Sequence, residues 1–164
     1  MLKGLSENQI KELCMDLSGL PSCFNEVKEA ILSGNGYWYP MSKQESKMNP
    51  VAYSLDRIYR DRRIDLLESV IEKAGIVEVS GFHPYWHDHS RGAKWRNIPD
   101  MKSYIYDKDD TGYSFPWIDE EYYFDKSGSW IIYVSHEGTI TFAGEKLTEI
   151  SETIIPDRYK FGRT

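Results

Sequence analysis

Apolar positions recur at helical spacing through the first half of the chain and then give way to alternation. Ser6 followed by Gln9 is a capping-box pattern that opens a helix with Ile10, Leu13 and Leu17 on one face. Ser18-Gly19 stops it, and Pro21-Ser22 starts a second helix that carries Phe24, Val27 and Ile31 to Gly34-Asn35-Gly36. A linker, Tyr37 to Met48, follows. Asn49-Pro50 reads as the next helix start, with Leu55, Ile58 and Tyr59 continuing the stripe. Beyond Asp61 the stripe resumes as Ile64, Leu67, Val70, Ile71 and Ala74 and closes at Gly75. This pattern fits either two helices or one bent helix, with the arginine-rich run Arg57 to Arg63 across the joint.

From Ile76 the period becomes two. Val77 and Val79 predict a short strand, and Tyr104-Ile105-Tyr106 another. Tyr122 to Asp125, Trp130 to Ser135 and Thr139 to Phe142 are separated by turn-forming segments and predict a three-stranded meander. Leu147, Ile150 and Ile154 mark a closing helix before Pro156, and the basic end Arg158 to Arg163 reads as loosely held. Helices first and strands afterwards give an α+β class, with N-terminal helices packed on a C-terminal antiparallel β-meander and a closing helix. No internal repeat and no domain-separating linker occurs in residues 1–164, so the expectation is one domain.

Charge changes this picture more than size does. Residues 104–164 hold twelve acids against six bases and so carry the whole net charge of -6, while the preceding residues balance. An acidic balance disfavours broad binding to nucleic acid and suits a basic protein partner. No apolar leader and no membrane span is visible, and Cys14 and Cys23 read as reduced thiols, which points to a cytoplasmic protein without a membrane role. The oligomeric state is left open.

The acids are concentrated among aromatics. Asp107, Asp109, Asp110, Asp119, Glu120, Glu121 and Asp125 enclose a single base, Lys108, and are interleaved with Tyr104, Tyr106, Tyr113, Phe115, Trp117, Tyr122, Tyr123 and Phe124. Such a surface attracts a cationic partner and then offers stacking and hydrogen-bonding anchors. Candidate partner-binding residues are Asp107, Asp109, Asp110, Tyr113, Trp117, Asp119, Glu120, Glu121 and Tyr122. The competing account is structural: Asp109-Asp110-Thr111-Gly112 as a turn, Glu120-Glu121 as a charged strand edge, and the aromatics as alternating core.

Other chemistry is sparser. His83, His87 and His89, with Asp88, supply ligand types for zinc but not a recognised spacing, so neither a metal nor a cofactor is assigned. Arg91, Lys94, Trp95 and Arg96 form a short basic cluster better read as a solvated loop than as a nucleic-acid site. His136-Glu137 has the residue types of an acid/base pair but sits where Gly138 predicts a turn. Phosphate-loop, dinucleotide, nucleophile-elbow and HExxH patterns are missing, and no catalytic residues are assigned.

The segment Trp130-Ile131-Ile132-Tyr133-Val134-Ser135-His136-Glu137-Gly138-Thr139-Ile140-Thr141-Phe142-Ala143-Gly144 resembles one in small bacterial proteins, some of them similar to the immunity proteins of contact-dependent or other polymorphic toxin systems. That resemblance implies a toxin-neutralising binding protein whose acidic surface blocks a basic toxin domain, for instance a nuclease. The alternatives are a small metal-dependent hydrolase using the His83/His87/His89 loop, and a general protein-interaction module.

Overall fold

The structure, a computed structural model, describes residues 22, 25–30, 46–83, 100–105, 121–125 and 127–162. Helix α1 (Asn25–Ala30) lies within the predicted second helix. Its Glu26 carboxylate accepts from Ser46 Oγ at 2.6 Å and from the Lys47 amide at 2.8 Å, which ties it to the turn leading into the main body. The first predicted helix, Ser6 to Leu17, lies outside the described residues.

The predicted helix at Asn49-Pro50 is instead a turn and a strand. Asn49 takes a left-handed φ of 47°, a conformation Asn tolerates better than most residues. Pro50 leads into β1 (Val51–Ser54). The helix start is displaced to Ser54, whose Oγ accepts from the Arg57 amide at 3.3 Å and opens α2 (Leu55–Arg60). After a turn the chain forms α3 (Asp65–Ala74), which ends on Gly75 with φ 71°. The arginine-rich joint therefore separates two helices. Leu55, Ile58, Leu66, Leu67, Val70 and Ile71 are buried, whereas Tyr59, placed on the same stripe from sequence, is 49% exposed.

Five more strands follow: β2 (Glu78–His83), β3 (Asp100–Ile105), β4 (Glu121–Phe124), β5 (Ile131–Ser135) and β6 (Thr139–Ala143). Val79 lies in β2 as expected, while Val77 stays outside it and is 64% exposed. Helix α4 (Glu145–Ile154) closes the fold, followed by a short turn of 3-10 helix at Asp157–Tyr159. The strands pair antiparallel in one sheet of order β1-β6-β5-β4-β2-β3. The predicted meander β4-β5-β6 is present, with Tyr122 opposite Tyr133 and Ile132 opposite Phe142.

One sheet face meets the helices. Tyr53, Phe142, Ile140, Ile132, Val134, Tyr123 and Val79 pack there with Leu67, Val70, Ile71 and Leu147. Burying side chains of this size stabilises the fold by about 1.5–3 kcal/mol each. Both β5 and β6 are buried at every position, so the opposite face, with Ile131, Tyr133, Thr141 and Ala143, is also shielded from water. This accounts for the near-continuous apolar run of β5, where a one-sided antiparallel sheet would alternate more sharply.

The C-terminal end is held, contrary to the expectation of a loose tail. Tyr159 is 1% exposed, Lys160 bridges to Tyr53, and the Phe161 amide donates to Ala52 O at 2.9 Å. These contacts run along β1, the outer strand on that side, and cover part of an edge that would otherwise present unpaired backbone groups.

Candidate functional site

The acidic-aromatic stretch is tied to the sheet at both of its ends. Its first acids follow β3, which ends at Ile105, and its last run enters β4 at Glu121. Strands β3 and β4 lie on either side of β2 and both run opposite to it. Ile105 pairs with Glu78 at the start of β2, whereas Tyr122 pairs with Phe82 near its finish. The two ends of the stretch therefore stand at opposite ends of the sheet. Asp107, Asp109, Asp110, Tyr113, Trp117, Asp119 and Glu120 lie outside the described residues.

Of the proposed contact residues, two fall within the sheet. Glu121 opens β4 opposite Val134. Tyr122 is 0% exposed and stacks on Tyr133, with ring centroids 4.2 Å apart and planes inclined by only 8°. This corrects the assignment of Tyr122 as a surface anchor. Its ring is used in cross-strand packing, as is usual for opposed aromatics on one sheet face. Asp125, at the end of the acidic run, is also engaged locally. It accepts from Trp130 Nε1 at 3.0 Å, from the Ser127 amide at 2.8 Å and from Ser127 Oγ, and so fixes the β4-β5 turn.

The histidine loop is reached only at its first member. His83 ends β2 opposite Asp100, and His87 and His89 lie outside the described residues. Among the described residues no group of three or more His, Cys, Asp or Glu side chains is arranged to hold a metal ion. His136 and Glu137 occupy the β5-β6 turn, with the Glu137 amide donating to Ser135 Oγ at 3.1 Å. The same turn presents Gly138 O to the amides of Leu55 and Asp56, at 2.8 and 3.3 Å, and so satisfies donors at the start of α2. That geometry gives the His136-Glu137 turn a docking role in the fold.

A second cluster was missed from sequence because its members lie about a hundred positions apart. Arg57 of α2 donates through Nη1 to Arg158 O at 3.3 Å. Arg158 Nη2 donates to the Tyr159 hydroxyl, which donates in turn to Asp61 Oδ2, each at 3.0 Å. The Arg158 guanidinium also lies 4.9 Å from the centre of the Tyr159 ring. Nearby, Lys160 Nζ binds Glu152 at 2.8 Å and Asp157 at 3.0 Å, and these two carboxylates raise its pKa. Only the run Arg57 to Arg63 hinted at this cluster, and it was legible as a helix joint alone.

No helix among the described residues is long and apolar enough to cross a membrane. Comparison with protein families, curated proteins and solved structures returned no match to this chain.

Proposed function

We propose that the protein is a cytoplasmic toxin-neutralising binding protein, of the immunity-protein kind, that blocks a basic toxin domain through its acidic-aromatic stretch. The observation that carries this reading is the joining of charge to scaffold. The stretch that holds most of the excess acid leaves the sheet at Ile105 and rejoins it at Glu121, beside the buried pair Tyr122 and Tyr133. A binding segment attached at both ends to a packed sheet loses less freedom on docking than a free tail. Asp107, Asp109, Asp110, Asp119, Glu120 and Glu121 supply steering, and Tyr113 and Trp117 the aromatic anchors. Tyr122 contributes by holding the scaffold. A nuclease would fit as target, because its phosphate-binding surface is basic and the carboxylates imitate its substrate's charge.

The test is capture of partners on the tagged protein from its host, followed by association kinetics at several salt concentrations. A stoichiometric basic toxin domain should be recovered. Replacing Asp109 and Asp110 with Lys should slow its association roughly tenfold at low salt, with the difference shrinking as salt rises. An association rate indifferent to both the substitution and the salt would rule out the acidic stretch as the docking surface.

A further inference from the structure

Helices α2 and α3 end in the same way, on residues of very different suitability. At the end of α3 the Gly75 amide donates to Glu72 O and the Ile76 amide to Ile71 O, with Gly75 left-handed. At the end of α2 the Arg62 amide donates to Tyr59 O and the Arg63 amide to Ile58 O, and here the left-handed residue is Arg62, with φ 56°. Both are Schellman closures, in which glycine is favoured because a Cβ is penalised in that conformation. The chain uses glycine in one and arginine in the other. A residue held at a conformational cost, with its side chain exposed, points to use of that side chain.

The surroundings give that use a chemistry. Arg57, Arg60 and Arg158 are exposed, as is Tyr59, and Arg57 is joined directly to the Arg158 backbone. Among the described residues Arg57, Arg60, Arg62 and Arg158 form no ion pair, whereas Arg63 is committed to Asp65 and Lys160 to Glu152 and Asp157. Asp56 and Asp61 lie on the same helix and turn, and Asp61 accepts from Tyr159. We infer that the Arg57–Arg62 face, together with Arg158, is a second protein-docking surface that takes a partner presenting carboxylates. Guanidinium groups pair with carboxylates through two parallel bonds, and Arg and Tyr are favoured at interface centres. Carboxylates are favoured over a phosphate backbone because Asp56 and Asp61 interrupt the positive field and the chain as a whole is acidic. Its residues are separate in sequence from the acidic stretch, and it selects a partner of opposite charge to the one proposed for that stretch.

The test is titration of isotope-labelled protein with a short poly-L-glutamate at low salt, followed by NMR. Saturable shifts should centre on the amides of Arg57 to Arg63 and Arg158. Arg62→Gly should weaken binding roughly threefold while raising Tm by about 2–4 °C, because strain is relieved as the contact is lost. Arg60→Gln, which leaves the backbone alone, should weaken binding to a similar degree without moving Tm. Binding unaffected by both variants, shifts centred on another face, or a fall in Tm for Arg62→Gly would overturn the inference. A single-stranded oligonucleotide that displaces the poly-glutamate from the same amides at lower concentration would overturn the assignment to carboxylates.

Discussion

At the residue scale, Gly144 shows most directly how one position is fixed by its surroundings. It has φ 109°, outside the range that L side chains adopt comfortably, and its amide donates to Met48 O at 2.7 Å. A Cβ there would run into the backbone oxygen of Ser129 and lie 2.9 Å from Trp130 Cα. Backbone strain and a clash with backbone atoms act together, so Gly144→Ala should cost about 2–4 kcal/mol in urea unfolding. The pair Arg63 and Asp65 makes the opposite case. Arg63 donates to both Asp65 oxygens, at 3.0 and 3.3 Å, and this hydrogen bonding lowers the Asp65 pKa. A lowered carboxyl pKa contributes stability above the unfolded value that is lost as pH falls through the folded one. Both side chains are substantially exposed, at 40% and 58%, so solvent screening leaves little of that contribution. Arg63→Gln should return Asp65 to an ordinary carboxyl titration by NMR, yet leave the midpoint of urea unfolding unmoved.

At the element scale, the start of helix α2 is set by its own capping residue and by one carbonyl from a distant turn. Ser54 caps it with a 3.3 Å bond, and Gly138 O takes the Leu55 and Asp56 amides. Because the carbonyl serves the first donors whether or not the serine is present, Ser54→Ala should cost only about 0.5–1 kcal/mol by chemical denaturation. The sequence made α3, the meander and α4 readable, since Leu67, Val70, Ile71 and Leu147 keep a helical period, while the strands around Ile132 and Ile140 are short apolar runs bounded by turn residues. It misplaced the start of α2 because Asn49-Pro50 is chemically a good helix opening. What decided against a helix was tertiary: Asn49 O is taken by Thr148 Oγ1 at 2.7 Å, and Val51 to Ser54 pair with β6. Neither partner is near in sequence. Tyr122 was misread for a related reason, because an alternating Tyr in an acidic run looks the same whether its face is wet or covered. The joint at Arg62 was unreadable because glycine, the usual signal of a left-handed helix end, is missing there.

At the scale of the whole molecule, the C-terminal segment ties together the sheet edge, α2 and α4, and it gives the fold a vulnerable alkaline side. Tyr53, fully buried in β1, donates to Ser151 Oγ of α4 at 3.3 Å and is bridged on its other side by Lys160. Burial raises the Tyr53 pKa, since the phenolate would have to be formed away from water. Lys160 is raised as well, by its hydrogen bonds to Glu152 and Asp157. Both groups hold their protons more tightly folded than unfolded, so the stability they contribute is complete below the unfolded pKa values, near 10, and declines as pH rises through the folded ones. The lysine's share is small, because its partner carboxylates are 46% and 68% exposed, so the buried phenol should dominate. Unfolding free energy measured by urea titration should therefore be flat from neutral pH to about 9.5 and fall above about 10. Tyr53→Phe removes the ionising group but keeps the ring against Phe142, 6.0 Å away edge-on. It should cost about 1 kcal/mol at neutral pH through the lost Ser151 bond, and flatten the alkaline decline. A decline as steep in Tyr53→Phe as in the parent chain would move the origin of alkaline sensitivity away from this strand and onto the other buried tyrosines.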